Sequence, residues 1–393
     1  MTDSPSPLTE RMPRVDELTG MRWWAAFYVF GYHMLVFAPL PGIASAVLEY
    51  GYIGVTFFFV LSGFVLTWSR SPRVSQSTFY WRRFARIYPS HFVALLLAIP
   101  VFTSFAPDPD QWWVHAFNPV IILLSFLLLQ GWSRDPGILF SGNPAAWTLT
   151  CEMFFYAMHP YLSRLLDRLR TRGALVFVGV VIAVAFVYRA AALVWPTEWW
   201  AAGMPWPIVR LTEFAIGMGL AWAFRSGWRP RVPVTLGVGA LIATILALTA
   251  ARVLLPGSTA VGVVAGFSNE IITVACALAI VALAARRLSG RRSVFASRLM
   301  VVLGEWSYAF YLVHATFIYL ALTWLGPQEV GWSNLVWFAV VFVIALAGAA
   351  ALHYLVERPF ERWLRAWKDR RDAARVATRA EADAVVVEPA QTK

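Results

Sequence analysis

The chain has 393 residues, 59% of them hydrophobic and only 14% charged, with a mean hydropathy of +0.61. A soluble domain carries about 25% charged residues, so a water-soluble globular fold is excluded and an all-α, polytopic membrane protein is expected. The net charge of +11 does not point to nucleic acid: Lys occurs only at 368 and 393, and the arginines gather in the intervals between apolar segments.

In chain order, residues 1–20 form a short polar, Pro-rich N-terminal tail with no small-residue cleavage site after the first apolar run. Eleven apolar segments follow, near 22–40, 50–69, 88–105, 117–131, 146–164, 174–195, 207–224, 233–255, 270–286, 299–323 and 335–356. Most have the roughly 17–25 residues that a membrane crossing needs; the fourth is shorter. Arg70, Arg73, Arg82, Arg83 and Arg86 precede or enter the third segment. Arg164, Arg168, Arg170 and Arg172 follow the fifth, and Arg225, Arg229 and Arg231 the seventh. Arg286, Arg287, Arg291, Arg292 and Arg298 lie between the ninth and tenth. The intervals 41–49, 106–116, 196–205, 256–269 and 326–334 hold no Lys or Arg.

Positive charge is retained on the cytoplasmic side of a membrane protein. All basic intervals fall on one side only if the fourth segment does not cross. The expectation is therefore about ten transmembrane helices, both termini cytoplasmic, and a re-entrant or non-crossing segment near 113–131. Residues 21–362 form the transmembrane domain, and 363–393 a basic, disordered cytoplasmic tail. Cys151 and Cys276 lie in apolar segments, so neither a disulfide framework nor a metal site is indicated.

Several segments carry titratable groups that are costly in a bilayer, by about 2.5–3.5 kcal/mol or more each. Arg22 and His33 are eleven residues apart, which puts them on one helix face about 16 Å apart along the axis. An imidazole titrates near working pH and is a natural general base; the competing reading is a hydrogen-bonded core histidine. Gly51, Gly54 and Gly63, within GYIGVTFFFVLSGF, permit close helix or ligand approach. Ser62 in that stretch has no base nearby in sequence. Arg82, Arg83 and Arg86 in WRRFARIYP can grip phosphate bidentately or simply set topology.

Trp147, Thr148 and Glu152 occur in NPAAWTLTCEMFFY; Glu152 can orient His33, pair with an arginine or bind a hydroxyl. Arg210 and Glu213, three apart, can pair on one helix. Ser307, Tyr311 and His314 share a face, as the wall of a site or as an interhelical hydrogen-bond network. Glu357-Arg358-Pro359 reads as a structural clamp.

These motifs, in this order, resemble the bacterial acyltransferase family 3 of integral-membrane O-acyltransferases over roughly residues 14–360. The carriers of the resemblance are Arg22…His33, residues 51–64, 81–89, 143–156, RLTEFAIGM, SYAFYLVH and VERP. Thr148 stands where the family pattern has Ser, and Met153 and Phe154 where many members are polar. The resemblance implies a bacterial plasma-membrane enzyme with no bound cofactor that takes an acyl group, by default acetyl, from acyl-CoA to a hydroxyl of a sugar, glycan or natural product. His33, Arg22 and Glu152 would be catalytic, and Arg82, Arg83 and Arg86 would hold the donor. Trp147, Thr148, Ser307, Tyr311 and His314 would line the site. A separate extracytoplasmic partner can complete the transfer. The alternative is a proton-coupled transporter or flippase that uses the buried His and Glu residues.

Overall fold

The computed structural model describes residues 12–72 and 74–386. Long helices dominate the chain: α1 (Asp16–Phe37), α2 (Ile53–Trp68), α3 (Gln76–Phe102), the short α4 (Pro119–Phe126), α5 (Trp147–Leu166), α6 (Thr171–Val194), α7 (Leu211–Arg225), α8 (Val234–Leu254), α9 (Ser268–Leu288), α10 (Arg298–Leu325), α11 (Asn334–Leu352) and α12 (Arg358–Val386). Eight helical stretches, built on α2, α3 and α6–α11, are long and apolar enough to cross a membrane. Helices α1 and α5 are less apolar than these eight, but at 22 and 20 residues they are about 30 Å long or more, enough to span the hydrocarbon core. The protein is an all-α, multi-pass membrane protein.

Helix α4 has eight residues, about 12 Å, and cannot cross. This is the segment the arginine distribution singles out. Pro119 occupies its first turn, and the Asn118 carboxamide oxygen accepts from the amides of Val120 and Ile121. Its surroundings, 103–146, are irregular, and several of their polar groups are bonded within the protein, as burial at membrane depth demands, although Trp113 Nε1 and Gln130 Nε2 are buried without a hydrogen-bond partner. His91 Nε2 lies 3.0 Å from the Ser125 carbonyl, Ser125 Oγ 2.8 Å from Ser141 Oγ, and Asn143 Nδ2 donates to the Leu312 carbonyl at 2.9 Å.

The arginine-rich intervals are stitched together at one end of the bundle. Arg70, after α2, pairs with Asp167, after α5, at 2.5 Å. Thr171 donates to the Ser226 carbonyl at 2.6 Å, Trp68 Nε1 to Pro13, and Arg287 Nε to Arg14. The intervals without basic residues meet at the other end, where the Gln328 and Gly331 amides bond the Phe37 and Pro39 carbonyls. Arg252, a cation at this second end, is matched by Glu49.

Two helix pairs are drawn together by facing glycines. A Cβ on Gly63 (α2) would lie 1.9 Å from the Phe214 carbonyl oxygen, and one on Gly217 (α7) 1.9 Å from that of Val60. Gly304 (α10) plays the same part against the Thr19 carbonyl of α1, and Gly20 (α1) against the Phe295 carbonyl just ahead of α10. Close approach of this kind is what small residues supply where lipid removes the hydrophobic drive. It fixes the rotation of α1 and α2, and with it the direction of Arg22 and Ser62. Two apolar clusters flank these contacts, one around Phe30, Phe155 and Phe310, the other around Phe64, Phe224 and Ile280.

The expected disordered tail takes a different form. Residues 363–386 continue helix α12, and its first half lies against the start of α3. Trp81 Nε1 donates to the Leu364 carbonyl at 2.7 Å, its ring packs on Trp367, and Thr78 donates to Asp372. The aromatic pair supplies burial that a charge count alone does not reveal. Residues 387–393 lie outside the described residues.

Candidate active site

A cavity of about 130 Å³ lies in the arginine-rich half of the bundle. Five helices line it: Arg22 from α1, Phe58, Ser62 and Val65 from α2, Arg83 and Arg86 from α3, Glu152 and Tyr156 from α5, and Tyr308 from α10. The α2 positions fall at i, i+4 and i+7, one helical face, opposite the glycine that meets α7.

The three arginines are not equivalent. Arg86 is spoken for: it pairs with Glu357, whose side chain is fully buried, and bonds Glu361 at 3.1 Å. Glu357 sits in a π-helical turn, His353–Glu357, with His353 Nδ1 at 3.2 Å. Among the described residues, no carboxylate oxygen lies within 4.0 Å of the Arg22 or Arg83 guanidinium, and Arg83 Nε is buried without a hydrogen-bond partner. Arg83 does stand over the Tyr156 ring at 6.0 Å. Glu152 accepts from the Tyr156 hydroxyl at 3.2 Å. Arg82 is outside the cavity, 3.6 Å from Asp369 on α12.

His33 lies further along α1, beyond the cavity, and its partner is another histidine. His314 Nε2 is 3.1 Å from His33 Nδ1. His314 Nδ1 faces only carbonyls, Tyr311 at 2.8 Å and Phe310 at 3.2 Å, so it carries the proton and its Nε2 is an acceptor. His33 Nδ1 therefore faces two acceptors, His314 Nε2 and the Val29 carbonyl at 3.0 Å, and carries its own proton. That assignment leaves the lone pair of His33 on Nε2, the condition for accepting a proton. A line of rings joins the two places: Phe58 meets Tyr311 at 6.0 Å, Tyr311 meets His314 at 5.7 Å, and His314 meets His33 at 5.0 Å.

The expected site residues thus divide. Arg22, Glu152, Arg83 and Arg86 meet in the cavity; His33, His314 and Tyr311 meet beyond it. Tyr311 and Thr148 both donate to the Ala145 carbonyl, at 3.4 and 2.9 Å. Trp147 packs on Phe59 and Trp206. Ser307 is turned onto its own helix and bonds Gly304, while its neighbour Tyr308 faces the cavity and donates to Ile87 at 2.9 Å. Glu152 bonds Tyr156, with His33 elsewhere. Arg210 and Glu213 form a buried network with Asn269 and Thr56 that joins α7, α9 and α2. Glu305 is exposed and pairs with Arg14 at 2.9 Å.

Tyr156, Tyr308 and Ser62 line the cavity and Glu357 holds Arg86 from behind it; none of the four is among the site residues expected from the sequence. The spacing of Glu152 and Tyr156, four apart, carried a visible signal. Glu357 lies 271 positions from Arg86, and no local pattern links them.

Residues 15–354 match the model of the Acyltransferase domain. Over 379 residues the chain is 35% identical to the acyltransferase MdmB of Streptomyces mycarofaciens, covering 90% of this chain and 93% of that protein. It is 29% identical over 147 residues to nodulation protein 10 of Rhizobium leguminosarum bv. viciae, which is 35% of this chain and 40% of that one. It is 31% identical over 100 residues to the peptidoglycan O-acetyltransferase OatA of Listeria monocytogenes, which is 24% of this chain and 15% of that protein. No solved structure matches the chain.

Proposed function

The chain belongs to the Acyltransferase domain family and is a membrane acyltransferase; from that premise we propose that it moves a short acyl group, acetyl by default, from acyl-CoA to a hydroxyl. The observation that carries the reading is the pairing of a guanidinium-lined cavity with a histidine whose Nε2 is free to take a proton. The donor enters at the arginine-rich end, which the positive-inside rule makes cytoplasmic in a bacterial plasma membrane. Arg22 and Arg83 hold donor phosphate by charge-assisted bonds. Glu152, bonded to Tyr156, adds a carboxylate to the same cavity wall and offsets part of the positive charge there.

At the second centre His33 Nε2 takes the proton of the acceptor hydroxyl. The acceptor oxygen forms its bond to the thioester carbonyl carbon, the carbon–sulfur bond breaks, and the thiolate leaves with the proton returned by the imidazolium. His314 and the Val29 carbonyl hold the ring and its tautomer. The acceptor is a sugar, glycan or natural-product alcohol that approaches His33, and a separate extracytoplasmic protein can receive the product.

The test uses the purified full chain in detergent with radiolabelled acetyl-CoA and a mixture of cell-extract acceptors. Donor turnover in the wild type and its loss in His33→Ala support the reading. A well-folded wild type that turns over no acyl-CoA refutes it. Movement of an unmodified solute by His33→Ala, uncoupled from protons, would favour the transporter.

A further inference from the structure

We propose that the cavity reads one phosphate of the donor, the one at the head of its pantetheine arm, and that the nucleotide beyond it is dispensable. Any carrier of the acylated phosphopantetheine arm, a carrier protein included, is then a donor. This rests on the acyl-donor reading above.

Size is the first argument. A cavity of about 130 Å³ is below the roughly 300–1,000 Å³ of sites that hold whole drug-sized ligands. It has room for a phosphate and a few atoms of chain, and none for an adenosine. Charge is the second. Of the four cations near the site, Arg86 is neutralised by Glu357 and Glu361, and Arg82 faces Asp369 outside. Arg22 and Arg83 remain, with Arg83 Nε buried and without a partner among the described residues. Two guanidiniums match one phosphate group, not the three that coenzyme A carries.

Length is the third argument. Arg22 and His33 are separated by about 16 Å along α1. The arm runs from its phosphate ester oxygen to sulfur through about twelve bonds, the equivalent of about four residues of extended backbone or roughly 13–14 Å. One further bond at each end, to phosphorus and to the carbonyl carbon, brings the thioester to His33 when the phosphate is at Arg22. The arm passes Phe58 and then Tyr311 and Thr148, whose hydroxyls suit its two amides.

Four donors of the same acetyl group test this in the detergent-purified full chain: acetyl-CoA, its 3′-dephospho form, acetyl-4′-phosphopantetheine and acetyl-pantetheine, scored by thiol release. The first three should agree within about threefold in kcat/KM, and the fourth should fall by about 10–100-fold, the span of a lost charge-assisted contact. Arg83→Gln and Arg22→Gln should depress the first three and leave the phosphate-free donor unchanged. A main loss on removing the 3′-phosphate or the nucleotide overturns the proposal. So does an arginine variant that depresses all four donors equally. Thiol release from none of the four removes the donor reading itself, a different result. Arg83→Lys, which keeps charge and loses the fork, covers the case in which a neutral variant does not fold.

Discussion

His314 Nε2 lies 3.1 Å from His33 Nδ1, and each imidazole places its remaining Nδ1 contacts on backbone carbonyls of its own helix. The pair is a directional chain: carbonyls fix the proton on His314, His314 fixes the proton on His33, and the free lone pair emerges at His33 Nε2. Replacing His33 by Ala or Gln should lower kcat by about 10²–10⁴. His314→Ala leaves Val29 to hold the tautomer and should cost less, about 10–100-fold, with the donor KM unchanged. Steady-state kinetics on both variants separates the base from the residue that positions it; a donor KM that rises in His314→Ala would assign that residue to binding.

Glu357 is fully buried against the partly exposed Arg86, and removing its carboxylate leaves the guanidinium with Glu361 alone, at a cost of up to about 3–5 kcal/mol. Glu357→Ala should therefore lower the thermal midpoint in detergent strongly. Arg86→Met combined with Glu357→Leu should recover most of the loss. A Glu357→Ala protein of wild-type stability would show that the pair is not structural.

The glycine contacts give a prediction with an internal control. Gly63→Ala and Gly217→Ala each place a methyl about 1.9 Å from a carbonyl oxygen across the α2–α7 seam. The helices must separate, and overpacking of this kind costs about 1–3 kcal/mol or more. Gly239→Ala, with no atom within 4 Å of the new methyl, should be neutral or slightly stabilising, as Ala is the better helix former. Thermal unfolding of the three variants side by side decides it.

The stitched loop ends make the topology testable in cells. With native Cys151 and Cys276 buried, a cysteine at Arg291 should escape a membrane-impermeant maleimide in intact cells and react after lysis. A cysteine at Glu329 should react in both. The reverse pattern would invert the orientation.

The long apolar helices were legible because a crossing is a local property of about 20 residues, and the arginine intervals marked the one segment whose helix is too short to cross. The site was legible in its parts. Arg22 and His33 do share a face, but a helix face says nothing of what stands opposite. The facing helices give Arg22 to a cavity and His33 to His314. Glu152 finds Tyr156 on its own helix, and Ser307 finds its own backbone, a choice that helical spacing cannot express. The helical start of the tail was missed because its support, Trp81 against Trp367, comes from a segment 286 positions away in the sequence.

On the proposed route the edge-on rings of Phe58 and Tyr311, between the cavity and the histidines, would act as electrical insulation. A water-filled bore reaching from the arginines to His33 would join two titratable centres across about half of the hydrocarbon core and ease the passage of protons down the membrane potential, worth about 2.3 kcal/mol per charge for each 100 mV. An aromatic plug that yields to a slender uncharged chain, and closes behind it, lets an acyl group be presented at one end while the highly charged part of its carrier stays at the other. On the proposed route the membrane would then remain sealed to ions throughout the turnover.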